Sequence, residues 1–316
     1  MKHNIIVIGT VLIDCKGFAE TRYIPEGKNI GSVRLIHGGV GRNVTENLSR
    51  IGLTAGMATT VNSDGTGRDV VEHLQNCGAS TEHIVYMKER GMGLWMAILD
   101  ETGRLIGSIS DMPDLSGLEQ LIDERGEAII SDSTHVVLVM DLNETLTRNI
   151  RKIAHKLNKP VYGLPSNFSV IQAHPDVLDG LECFICNELE AERLIGVSDL
   201  KGLEQGALEC LLLDFAKKHA IRYMVVTLGE AGSVYCNTET GVSGFQPAER
   251  VKLVDSSGAG DAFFSGTVAG LLWGAPLSDA VRIGTRMAGW TIGQKESCCS
   301  DLGSLCRRDQ LISAYL

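Results

Sequence analysis

From about residue 116 onward the chain alternates short apolar runs with amphipathic segments, and this rhythm restricts its fold more than any other feature. Runs at 135–140, 160–162, 181–186, 223–228 and 233–237 read as strands. Segments 144–157, 189–195 and 203–219 read as helices between them, and 260–272 and 277–293 as two long final helices. A helix between two strands returns the chain to the same end of the sheet, so such strands pair in parallel and are covered on both faces. The expected class is α/β with a mostly parallel central sheet.

The first third reads differently. Residues 4–13 form an apolar run ending in Asp14, the pattern of a buried strand that delivers a carboxylate at its C-terminal end. Gly38 and Gly39 introduce a helix over 41–51. In it Val40, Val44, Leu48 and Ile51 share an apolar face, and Asn43 and Asn47, four apart, share another. Strands are expected at 55–61, 94–100 and 105–110, the last two joined as a hairpin through Glu101-Thr102-Gly103. The pieces near 15–37 and 92–110 do not suit a parallel layer, and are expected to form a small β lid inserted into one domain spanning 1–316.

Composition narrows the function. A net charge of −10, from 29 basic and 39 acidic residues with no basic cluster longer than a pair, excludes nucleic-acid binding. No apolar run approaches the ~18 residues of a membrane helix. The N-terminus reads as a first strand and not a signal peptide, so a cytoplasmic location is expected. Nine cysteines without a framework read as buried thiols. The pair Cys183 and Cys186 lies in a strand, where residues three apart face opposite sides and are poorly placed to share a metal.

The segment 254–266, Val-Asp-Ser-Ser-Gly-Ala-Gly-Asp followed by an apolar helix, carries the chemistry. Small residues let a ligand approach the backbone, and the N–H groups of Gly258, Ala259 and Gly260 at a helix N-terminus form an anion hole suited to phosphate. Asp261 in the first turn is placed to reach an acceptor hydroxyl. A bare Gly-x-Gly-Asp is also an ordinary acidic helix start. No Gly-x-x-x-x-Gly-Lys-Ser/Thr motif is present, and Gly65-Thr66-Gly67 lacks the third glycine of a dinucleotide fingerprint.

Residues 255–261 resemble the C-terminal signature of ribokinase-type (PfkB) sugar and nucleoside kinases, and 38–43, Gly-Gly-Val-Gly-Arg-Asn, resemble its N-terminal signature. Asn187-Glu188-Leu189-Glu190 resembles the family's NxxE motif, and Thr227-Leu228-Gly229 with Gly232 its nucleotide loop. The four motifs stand in family order across the chain. The resemblance implies a ribokinase-like fold with a β lid, ATP as phosphoryl donor and Asp261 as base beside Gly258, Ala259 and Gly260. It implies acceptor binding by Asp14, Gly38, Gly39, Asn43 and Asn47, and nucleotide binding by Asn187, Thr227, Gly229, Gly232 and Ser257. Glu190 would hold Mg²⁺ through water, and Asp255 a monovalent cation such as K⁺.

The lid segment 94–112 resembles that of bacterial pseudouridine kinases, with Ser110 and Asp111 placed to read a base edge, so pseudouridine 5′-phosphorylation is the expected reaction. Ribokinase, fructokinase and other nucleoside kinases are the alternatives, as is a catalytically weak nucleoside-binding relative. Leu12 stands where members often carry Asn, and Leu164-Pro165 where many carry Asp-Pro. Lid strand 94–99 is apolar on both faces, one suited to substrate and the other to a second subunit, so a homodimer through the lid is expected.

Overall fold

The structure, a computed structural model, describes residues 4–316. Its strands are β1 (Asn4–Ile8), β2 (Leu12–Ala19), β3 (Gly31–Gly38), β4 (Thr54–Asn62), β5 (Ser80–Met87), β6 (Gly93–Leu99) and β7 (Leu105–Asp111), then β8 (His135–Met140), β9 (Val161–Pro165), β10 (Cys183–Asn187), β11 (Tyr223–Thr227), β12 (Ser233–Asn237) and β13 (Val242–Gln246). Its α-helices are α1 (Val40–Arg50), α2 (Gly65–Asn76), α3 (Ser116–Ser131), α4 (Glu144–Lys156), α5 (Phe168–Ala173) and α6 (Glu188–Ile195), then α7 (Gln205–Lys218), α8 (Ala259–Leu272), α9 (Leu277–Ile292), α10 (Leu302–Arg308) and α11 (Gln310–Ser313).

Nine strands form the main sheet in the order β13-β12-β11-β10-β9-β8-β1-β4-β5. From β5 to β11 all pair in parallel, and β12 and β13 close one edge antiparallel. The pleat sends alternate residues of β1 to opposite layers. Ile6 and Ile8 pack with Leu138, Phe184 and the apolar faces of α3, α4 and α7. Ile5 and Val7 pack with Val137, Leu48 and Phe264, under α1, α8 and α9. Cys183 and Cys186 fall into these two opposite layers, as the strand period requires. Helices α8 and α9 approach closely through small residues: a Cβ on Gly266 would lie 2.8 Å from the Gly284 Cα.

Four strands, in the order β3-β2-β6-β7, make a second sheet. It grows from the C-terminal end of β1 through residues 9–11, which places it beside the edge where the parallel strands end. Sheet connections leave β1 toward β4 and β5 on one side and later fill β8 on the other, so the chain reverses direction at the β1/β8 gap, where open α/β sheets bind ligands. Among the described residues, no helix is long and apolar enough to cross a membrane.

Three details depart from the sequence reading. The first apolar run divides into β1 and β2, so Asp14 sits inside a lid strand and not at the end of the first central strand. Helix α2 begins at Gly65-Thr66-Gly67, a start with little intrinsic helix preference; Asp64 caps it by accepting from the Gly67 N–H at 3.0 Å. Gly67 is required by contact, since a Cβ there would lie 1.8 Å from the Asn62 carbonyl. Helix α1 is buried nearly all round and not on a single face.

Candidate active site

Gly39 caps α1 with φ 89, and a Cβ there would lie 2.7 Å from the Leu12 nitrogen. Its neighbour Gly38 faces Asp14: a Cβ on Gly38 would stand 2.2 Å from Asp14 Oδ1. The double glycine therefore folds the start of α1 tightly against the lid strand that carries Asp14. Burial pushes the Asp14 carboxyl above its ordinary range, with Lys16 and Arg42 pulling it back.

One turn into α1, Asn43 donates through Nδ2 to Asp261 Oδ2 at 2.6 Å. Asp261 lies in the first turn of α8, whose cap Gly258 has φ 76; a Cβ on Gly258 would lie 1.9 Å from the Ser297 carbonyl oxygen. Only glycine satisfies both the left-handed turn and that contact. Burial pushes the Asp261 carboxyl up to about 6, and the nearby Asp14 pushes it the same way, while the Asn43 hydrogen bond and Arg42 oppose them. A carboxylate raised to that value and fixed by one donor is poised as a proton acceptor near neutral pH.

Of the three amides expected to form an anion hole, one is engaged within the protein. The Ala259 N–H is turned to the Ser256 carbonyl at 3.3 Å. Those of Gly258 and Gly260 have no protein acceptor among the described residues, and remain for a ligand oxygen at the positive end of α8.

Across the sheet, Asn187 and Thr227 are register partners at the C-terminal ends of β10 and β11. Asn187 caps α6 in a capping box: its Oδ1 accepts from the Glu190 N–H at 3.0 Å, and Glu190 Oε2 accepts from the Asn187 N–H at 2.8 Å. The box engages one Glu190 oxygen and leaves Oε1. Burial raises the Glu190 carboxyl despite the Asn187 hydrogen bonds. After β11, Gly229 and Gly232 turn the chain with φ 62 and 121, and Leu228 N–H donates to the Gly232 carbonyl at 2.7 Å.

The remaining expected residues divide, Ser110 joining the Asp14 face and Asn47 and Asp111 lying away from it. Asn47 is fully buried, and its side-chain amide has no hydrogen-bond partner among the described residues. Ser110 pairs in register with Trp95, and Asp14 with the same Trp95, so all three lie on one lid face. Asp111 falls on the opposite face and pairs with Arg90 at 3.3 Å, so the structure does not bring it to the group around Asp14 and Asp261.

The sequence reading missed Lys16. Two residues after Asp14 on β2 it shares the Asp14 face, and it is 4% exposed. Its Nζ donates to Ser257 Oγ at 2.8 Å and to Asp255 Oδ2 at 3.3 Å. Asp255 Oδ1 already accepts the Ser257 N–H at 2.8 Å. With the Lys16 ammonium already paired to it, Asp255 does not suit a second monovalent cation at the same place. Two further groups were also unread. Thr10 hydrogen-bonds Asp141 through both its hydroxyl and its N–H, tying the ends of β1 and β8 at the switch point. Arg42 and Arg50 both pair with Glu46, which also meets His73, so the α1 face behind Asn43 is held by charge.

The sequence profile of the pfkB family of carbohydrate kinases matches residues 2–302. The chain is 34% identical over 295 residues to a guanosine-inosine kinase of Exiguobacterium acetylicum, covering 93% of this chain and 96% of that one. It is 26% identical over 282 residues to a pseudouridine kinase of Escherichia coli, covering 89% and 88%. The fold matches Arabidopsis thaliana ribokinase complexed with ribose and ATP at a TM-score of 0.81 and 17% identity, over 99% of each chain.

Proposed function

As this chain belongs to the pfkB family of carbohydrate kinases and is an ATP-dependent kinase, we propose that it phosphorylates the 5′-hydroxyl of a nucleoside, with guanosine or inosine as the preferred acceptor. The observation that carries this reading is the Asn43–Asp261 hydrogen bond at the N-terminus of α8, beside the unengaged Gly258 and Gly260 amides. It sets a base and an anion hole within one helical turn. Preference for a purine nucleoside is supported by the 34% relative spanning nearly the whole chain. The outward turn of Asp111 supports it too, since it removes one group expected to read pseudouridine. Pseudouridine is the second acceptor to test, favoured by the 26% relative and by the lid hairpin.

In this reading Asp14 and Asn43 hold the acceptor's ribose, Asn43 also fixing the orientation of Asp261. Asp261 takes the proton of the attacking hydroxyl as the oxygen bonds to the γ-phosphorus and the bond to the ADP oxygen breaks. The Gly258 and Gly260 amides receive the negative charge that develops on the transferred group. Thr227, Gly229 and Gly232, with Asn187 and Ser257, form the nucleotide side. Glu190 Oε1 is a hard oxygen donor left by its capping box, and suits a water of a Mg²⁺ ion that would neutralise the ATP phosphates. Ser110, on the Asp14 face, borders the acceptor, and the lid face that bears them excludes water.

The outer lid face supports assembly as a homodimer. Register places Val33, Leu35, Met96 and Ile109 on the side opposite Asp14, and they are 70%, 70%, 43% and 69% exposed. A contiguous apolar face of this kind suits a second copy of the same sheet.

The test is ATP consumption with Mg²⁺ against guanosine, inosine, pseudouridine, uridine, adenosine, ribose and fructose. Preference for guanosine or inosine supports the proposal. Preference for pseudouridine transfers the acceptor to the lid-based reading, and absence of turnover with all seven rejects the nucleoside kinase assignment.

A further inference from the structure

We propose that Lys16 is a built-in cation that positions the phosphate loop, so that this kinase works without a monovalent metal ion. The inference rests on the kinase reading. Residues 255–258 lead directly into the Gly258 cap, and their path decides where the Gly258 and Gly260 amides point. The Asp255 N–H donates to the Ile292 carbonyl, and among the described residues the side chain that holds this stretch from the lid side is Lys16, reaching across 239 residues to Asp255 and 241 to Ser257.

Lys16 is 4% exposed, and a buried ammonium persists only where it is paired and hydrogen-bonded. Here it finds a carboxylate and a hydroxyl on the loop, and the Asp14 carboxylate on its own strand face feels both Lys16 and Asp255. Without that charge, Asp14 and Asp255 would repel across the site and Ser257 would lose its donor. An alkali ion of similar size would answer the same need, but it binds by mass action and leaves at low concentration. A lysine on β2 delivers one positive charge at a fixed place and couples the lid to the start of α8.

Lys16 is thus a positioning residue, and its test is the response to the ion it replaces. Melting temperature and turnover would be measured in KCl and in choline chloride at equal ionic strength, for the parent protein, Lys16→Met, Lys16→Gln and Lys16→Arg. The parent and Lys16→Arg are expected to melt and turn over alike in both salts. Lys16→Met or Lys16→Gln is expected to lose turnover about 10-fold or more in choline, to recover part of it in KCl, and to gain a K⁺-specific rise in Tm of roughly 2 °C or more. Two uncharged variants are included in case one does not fold. A K⁺-specific rise in the parent overturns the proposal, as does the lack of any K⁺ response in the folded uncharged variants. The melting comparison needs no turnover, so it decides the role of Lys16 even if every acceptor fails and the kinase reading falls.

Discussion

The Asn43 amide and the Asp261 carboxylate meet at 2.6 Å across 218 residues of sequence, and this one contact joins α1 to the first turn of α8, beside the Gly258 and Gly260 amides. Removing the donor should release the acid. Burial holds the Asp261 carboxyl at about 6 and the Asn43 hydrogen bond restrains it from rising further. In the parent enzyme kcat/KM should therefore fall as pH drops through about 6, because the base must be deprotonated to act. Asn43→Ala should move that acid limb upward and lower turnover at pH 8. An unmoved limb in a pH–rate profile would separate Asn43 from the base.

Asp261→Asn should lose at least about 100-fold in turnover while ATP still binds by calorimetry. The same change should stabilise the fold. The folded carboxyl titrates at about 6, above its ordinary value, so the cost of burying the charge is fully present above that pH. It disappears as pH falls toward about 4. The Tm advantage of Asp261→Asn should thus be largest near pH 8 and shrink through pH 6, worth on the order of 1–2 kcal/mol once partial solvent screening is allowed. A variant no more stable than the parent at pH 8 would contradict this.

Gly258→Ala forces a side chain into a left-handed turn and onto the Ser297 carbonyl. A destabilisation of about 1–3 kcal/mol is expected, together with a loss in kcat larger than any change in acceptor KM. Denaturant melts and steady-state kinetics would measure both, and an unchanged kcat would remove the loop from transition-state binding.

On the outer lid face, Leu35→Glu should convert a dimer to a monomer at micromolar concentration without altering the Asp14 face, since the two residues project to opposite sides. Light scattering on the parent and the variant reads this directly. A monomeric parent would remove the dimer proposal.

The layered architecture was readable because buried parallel strands are short, apolar and separated by periodic helices; the strand over 135–140 was read to its observed bounds. What escaped was local. No sequence pattern announces α2 or α3, and α2 begins on Gly65-Thr66-Gly67, of which Gly67 answers a close backbone contact with Asn62 that only the fold creates. The motif residues Gly38, Gly39, Asn43, Gly258 and Asp261 were legible because each answers a local backbone or chemical need. Lys16 was hidden because the first apolar run looked continuous; its break at residues 9–11 makes Asp14 and Lys16 neighbours on one strand face. Asp111 was misplaced for the converse reason, since its side of the lid depends on the cross-strand register.

The lid pleat has an evolutionary consequence. On β2 and β6, Asp14, Lys16, Trp95 and Ala97 look one way while Cys15, Leu94, Met96 and Ile98 look the other. Two sets of selective pressures are thus interleaved residue by residue along the same strands. Drift at one parity leaves the other untouched, so descendants of this chain can alter the face that bears Asp14 and Lys16 without remaking their outer surface, whereas a single-residue insertion in either strand would exchange the two sets at once.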